Sequence, residues 1–389
     1  MDEDFTRADI TLANWRVHPF SRYSFQHVAE FVPVAGIAWP GAPEDPSPGQ
    51  GALDTLELND RDGSRITATG HLRRSYADHF VVMRDGAVIS EWVAGHADPA
   101  RPHVIFSISK SVTGMLAGIA AGDGLLDPEK GVAAYVPSVR GSTYETAKVR
   151  DLLDMTVDLD FDEEYLDAGG AFDRYRRAML WNPERPGQIE TLETFLATLG
   201  AKGHGHGNRF FYASPDTDLL GLVIERATGI RYHRYLADRL FSPMGARGAA
   251  YVTVDRLGTA RAAGGVCITT RDLARLGQLV MDGGRTAGAQ VIPAAWIDDM
   301  RSNGNRQAWV DGNFADMFAN GRYRSCWYDV GDGRGSFAGV GIHGQWLWCD
   351  PVSRIVLART SSRPDPSDDD ATALEIDMLS QIARGFTGS

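Results

Sequence analysis

Two sets of strand-like residues stand far apart in this chain, and they constrain its fold more than any other feature. Phe80-Val81-Val82-Met83 and residues 87–93 flank an Asp85-Gly86 pair, the pattern of a β-hairpin with a tight turn. Three further β-rich runs, residues 323–329, 344–349 and 353–359, follow more than 150 residues later. A lone hairpin is marginal in water, so the early and late strands are expected to share one sheet. Between them, residues 149–155, 189–199 and 218–227 carry helical periodicity; residues 270–281 and 371–384 read as helices farther on. The pattern predicts an α/β body built from both ends of the chain, with a mainly helical insertion. Residues 76–124 and 256–389 form that body, 125–255 the insertion, and 1–75 an N-terminal extension packed on the body.

Composition narrows the functional classes. The 389 residues are 43% hydrophobic and 23% charged, which excludes a disordered chain. A net charge of −12 argues against a nucleic-acid partner or an anionic membrane surface, since both call for clustered Lys and Arg. Cys267, Cys326 and Cys349 are sparse, odd in number and without CxxC spacing, so reduced buried thiols are expected. The acidic start, Met1-Asp2-Glu3-Asp4, lacks the basic and apolar regions of a secretory leader. A cytoplasmic location is the resulting expectation.

One short motif carries chemistry. Ser107-Ile108-Ser109-Lys110 opens an apolar helical stretch, and of the four lysines (110, 130, 148 and 202) only Lys110 has a serine three residues before it. On a helix, positions i and i+3 share a face, so the hydroxyl and the amine come within reach. A serine attacks only when a base removes its proton, and a lysine is that base only when neutral. Burial against apolar neighbours supplies the required fall in pKa. The plainer alternative is a capping serine followed by a surface lysine. Against it stands Phe211-Tyr212-Ala213-Ser214, about a hundred residues on, which offers a phenol for carrying the proton to a leaving group.

With these residues in view, the chain resembles the serine β-lactamase and penicillin-binding superfamily, and within it the class C-like (family VIII-type) esterases and amidases. Gly124-Leu125-Leu126-Asp127-Pro128, the run from Val149 to Thr156, Leu220 to Glu225, and Ala263-Gly264-Gly265 before Thr269-Thr270-Arg271-Asp272-Leu273 look like further segments of it. The likeness spans about residues 75–385. Ser107 to Ser111, Phe161 to Tyr165 and Gly339 to Gln345 are most similar to the branch of 6-aminohexanoate-dimer hydrolases, amidases with carboxylesterase activity. The resemblance implies a β-lactamase-like antiparallel sheet flanked by helices. It also implies Ser107 as nucleophile, Lys110 as general base and Tyr212 as proton relay, with the backbone N–H groups of Ser107 and Ile342 as oxyanion hole. Tyr165 would contact the leaving amine and Asp173 a substrate ammonium; Tyr328 is a further candidate for substrate contact, and His343 reads equally as a substrate contact or as a structural hydrogen bond beside the strand. Ala263 departs from that branch, which has asparagine there, and Tyr328 stands in place of a second tryptophan.

Some absences are informative. No Lys-Thr/Ser-Gly triplet occurs, so the cation with which β-lactamases and peptidoglycan enzymes bind a substrate carboxylate is missing. Gly339-Val340-Gly341-Ile342-His343-Gly344 has the form of a dinucleotide fingerprint, but Gln345-Trp346-Leu347-Trp348 follows it as a strand rather than a helix. No Gly-x-Ser-x-Gly elbow is present. The sequence is read as a serine hydrolase acting on small linear amides or carboxylic esters through an acyl-enzyme. No metal or organic cofactor is expected, and self-association to a homodimer stays open. A peptidase or β-lactamase is the rival enzyme reading; an inactive superfamily member acting as a binding module is the rival outside enzymes.

Overall fold

The computed structural model describes residues 5–38, 41, 43–44, 46–165 and 169–386. Seven strands form one antiparallel sheet in the order Ala87–Val93, Ala77–Arg84, Ile355–Ser361, Gln345–Asp350, Phe337–Gly341, Trp327–Asp329, Arg322–Arg324. The join between early and late strands is the ladder of Ala77–Arg84 with Ile355–Ser361, where Val82 faces Leu357 and Phe80 faces Arg359. The expected pairing across the chain is therefore present, and the hairpin before it turns through Asp85 and Gly86, both at positive φ.

Side-chain alternation sends this sheet into two layers. Leu347 and Cys349 point toward Gly277 of helix Thr270–Met281. Gly339, paired with Leu347, meets Ser111 and Ile108 of helix Ile108–Gly122 on that same face. Trp346 lies on the other face, where its indole N–H donates to Glu375 of the C-terminal helix Asp369–Gly385. Helix Ile108–Gly122 is buried at every position from Ile108 to Ala120, apolar or small along most of its length, with its polar side chains in the first two turns. It packs against helix Ser214–Thr228.

Several elements differ from the reading of the sequence. Residues 323–329 are two strands, Arg322–Arg324 and Trp327–Asp329, turning through Ser325 and Cys326 at φ 50° and 66°. Neither residue signals a turn; tertiary bonds impose it, with Asp154 Oδ1 accepting from Ser325 N at 2.9 Å and Leu153 O from Cys326 N at 2.9 Å. The helix expected over 218–227 begins earlier, at Ser214, with Pro215 in its first turn where a missing N–H costs nothing. The helix expected over 189–199 shrinks to Leu192–Leu196, capped by Thr191.

A second sheet was not foreseen. It orders Val34–Ala38, Ala250–Thr253, Val266–Ile268 and His103–Val104, all antiparallel. Its strand His103–Val104 ends three residues before Ser107, and Ile105 N still donates to Val266 O at 3.0 Å. The start of the Ser107 helix is thus tied to the 261–268 segment. Trp15 is buried, and its indole donates to Trp181 O at 3.1 Å, which draws the early residues onto the helical stretch. Among the described residues no helix is long and apolar enough to cross a membrane.

Candidate active site

Ser107 is the N-cap of its helix, and the residue before it, Phe106, is held at φ 44°. A non-glycine residue in the left-handed region is strained, and such positions cluster where a side chain must be presented in a fixed direction. One helical turn on, Lys110 is buried, with Nζ 2.9 Å from Ser107 Oγ. Lys110 Nζ also donates to Ser214 Oγ at 2.9 Å and to Ala263 O at 3.0 Å. A neutral amine has two N–H bonds and one lone pair. These two acceptors take the N–H bonds, which leaves the lone pair for the proton of Ser107.

The electrostatics bring that neutral form within reach. Burial pushes the Lys110 amine down to about 8, helped by the Arg261 guanidinium and opposed by the Glu163 carboxylate. Lys110 Nζ lies 4.7 Å from the centre of the Tyr212 ring. Burial holds the Tyr212 phenol well above its usual value, while a hydrogen bond with Ser107 acts in the opposite direction. The ring is fixed by stacking on Phe314 at 4.7 Å, and Tyr212 N donates to Asn313 Oδ1 at 3.0 Å.

The strand Phe337–Gly341 approaches the Ser107 helix closely because two of its residues lack side chains. A Cβ at Gly339 would stand 3.0 Å from Ser111 Oγ, and one at Gly341 would stand 2.8 Å from Ile105 O. Ile342 follows directly and borders, with Ser107, both cavities of the site. Among the described residues neither Ser107 N nor Ile342 N donates to another group. An oxyanion requires backbone donors of this kind beside the nucleophile.

Of the remaining sequence candidates, Tyr165 borders both cavities and donates to Glu163 Oε2 at 2.8 Å; Tyr328 borders the larger one beside Tyr212. The other two are not brought to Ser107. Asp173 is buried and engaged by Arg177, Arg185 and Asn182, so its carboxylate is already neutralised within the fold. The His343 ring is packed against Phe25 and Phe106, its Nδ1 2.7 Å from Arg363 O, and burial pushes it down to about 3, so it is neutral at pH 7.

The sequence reading gave no role to three contributors. Glu163 accepts from Ser214 N and from Tyr165, and so holds the hydroxyl of Ser214 in place. Asp218 accepts from Arg261, Tyr175 and, at 2.8 Å, from Ala263 N, which fixes the carbonyl that Lys110 uses. Ser214 lay in plain sight two residues after Tyr212, and the spacing alone could have marked it.

Residues 73–380 match the Beta-lactamase family. The chain belongs to that family. It is 34% identical, over 97% of its length and 94% of the relative's, to a 6-aminohexanoate-dimer hydrolase of Paenarthrobacter ureafaciens. A Bacillus anthracis structure, provisionally called a 6-aminohexanoate-dimer hydrolase, shares the fold at a TM-score of 0.88, with 24% identity and 97% of each chain covered. A D-stereospecific amidohydrolase from Streptomyces sp. superposes at a TM-score of 0.58, with 18% identity over 77% of this chain and 94% of that one. This member of the Beta-lactamase family thus has the β-lactamase-like fold expected of it, and its relatives include amide hydrolases.

Proposed function

We propose that this protein is a serine hydrolase cleaving small linear amides and carboxylic esters through an acyl-enzyme. Lys110 takes the proton of Ser107 as Oγ attacks the carbonyl carbon. The oxyanion forms between the N–H groups of Ser107 and Ile342. Tyr212 delivers the proton to the departing amine or alcohol, leaving the acyl group esterified to Ser107. Water, deprotonated by the same groups, then releases the acid and restores the hydroxyl.

The observation that carries this reading is the Lys110 amine, 2.9 Å from Ser107 Oγ with its donors directed to Ser214 and Ala263. The rival peptidase or β-lactamase reading calls for a cationic triplet that this chain lacks. A cytoplasmic setting goes with the proposal, supported by Cys267, Cys326 and Cys349, each buried with a free thiol. A panel of p-nitrophenyl acetate, p-nitrophenyl butyrate, 6-aminohexanoate dimer, a D-Ala-D-Ala peptide and nitrocefin, run beside Ser107→Ala, tests it. The expected result is turnover of esters or linear amides that vanishes in the variant. Nitrocefin as the best substrate, or turnover untouched in Ser107→Ala, would contradict it.

A further inference from the structure

Ser107 and Ile342 stand where two unequal cavities meet. The larger, about 550 Å³, has Tyr212 and Tyr328 in its wall. The smaller, about 30 Å³, is bordered by Arg16, Arg176, Arg261, Glu163, Phe106 and Gly264, and Tyr212 does not border it. Because the departing group must take its proton from Tyr212, it leaves through the larger cavity. On that mechanism the acyl chain that stays on Ser107 points toward the smaller one, whose volume of about 30 Å³ has room for a terminal carboxylate rather than for a whole chain.

The chemistry of that small cavity is unusual for a site that would hold an aminoacyl chain. Arg176 has no ion-pair partner among the described residues and lies 4.4 Å over the Phe172 ring. Arg16 donates to Trp181 O at 2.6 Å and to Asn182 Oδ1, both uncharged. Arg261 is paired with Asp218, yet its Nε is buried without a hydrogen-bond partner. A Cβ at Gly264 would stand within 3.5–3.8 Å of that guanidinium, so the glycine keeps the approach to it open. The carboxylates nearby, Glu163, Asp173 and Asp218, are all engaged by protein donors, Asp173 by Arg177, Arg185 and Asn182, although it also acts on Arg16 and Arg176. A buried donor left unpaired is costly, and guanidinium groups bind carboxylates through paired N–H donors.

We infer that the small cavity selects an acyl group ending in a carboxylate, so that the preferred substrates are half-amides or half-esters of short dicarboxylic acids. The inference rests on Ser107 being the acylated residue. It assigns to Arg16, Arg176 and Arg261 the recognition of an anion, where the sequence had suggested an ammonium on Asp173.

The test compares glutaryl-, butyryl- and 4-aminobutyryl-p-nitroanilide, which share a leaving group and differ in acyl charge. In the wild type, kcat/KM for the glutaryl substrate exceeds that for the butyryl one by roughly tenfold or more, the scale of a charge-assisted hydrogen bond. Arg176→Gln lowers that ratio several-fold, through KM more than kcat, and Arg176→Glu moves the preference toward 4-aminobutyryl. Because each variant is scored by a ratio between substrates, partial loss of folded enzyme cancels. Equal turnover of the three substrates, a preference for the cationic one in the wild type, or a ratio unmoved by both variants would overturn the inference while leaving the serine hydrolase intact. Absence of Ser107-dependent turnover on every acyl group would remove the underlying reading as well.

Discussion

Lys110 is a base because of where it is buried, and its acid–base behaviour should be visible in the rate. With the amine at about 8, most molecules carry the inactive ammonium at pH 6.5 and few do at pH 9. The reactive form gains as pH rises, so kcat/KM for a neutral ester climbs through about pH 8 and then levels. A profile flat from pH 6 to 9 would contradict the assignment. Lys110→Arg keeps a cation at the position and removes the lone pair, since a guanidinium stays protonated. Its activity is expected to fall by roughly 10³-fold or more, as for loss of other members of a nucleophile–base unit, with the circular dichroism spectrum retained. His343→Gln, by contrast, alters a ring packed behind Phe106 rather than a group bordering either cavity, and should change thermal stability more than substrate KM.

At the level of elements, the close approach of strand Phe337–Gly341 to the Ser107 helix is what brings Ile342 to the nucleophile. Gly341→Ala would put a methyl group 2.8 Å from Ile105 O and force the two apart. The expected cost is about 10²-fold in kcat, the scale of one lost oxyanion donor; unchanged kcat would mean that Ile342 plays no such part. Much of this architecture was readable in the sequence. Asp85-Gly86 announced its hairpin because both residues tolerate positive φ, and Ser107 to Lys110 announced the helix start because its chemistry is local. The small sheet was hidden, since its strands run two to five residues and their partners lie far along the chain. The Ser325-Cys326 turn was hidden for a different reason: bonds to Leu153 and Asp154, rather than its own residues, set its shape. Arg16 gave no local sign of reaching the site, because the packing of Trp15 on Trp181 and its own bonds to Trp181 O and Asn182 carry it there.

At the scale of the whole molecule, the site is an assembly of segments that are remote in sequence, held by a buried charge network. Arg261 and Asp218 lie at 5% and 0% exposure, and with Tyr175 they lock the 261–265 segment beneath Lys110. Asp218→Ala leaves Arg261 buried without its carboxylate and is expected to cost about 3–5 kcal/mol, as for other broken buried pairs. Denaturant unfolding would report it, and a loss under 1 kcal/mol would show that the network does not hold the fold. The central claim, that these segments converge to make Ser107 a nucleophile, is tested most directly by acid-quenching the enzyme during turnover of p-nitrophenyl butyrate and mapping the adduct by peptide mass spectrometry. The account predicts a butyryl group on the Ser107 peptide that is lost in Ser107→Ala. Steady turnover with no adduct there, or with the butyryl group on another residue, would contradict it.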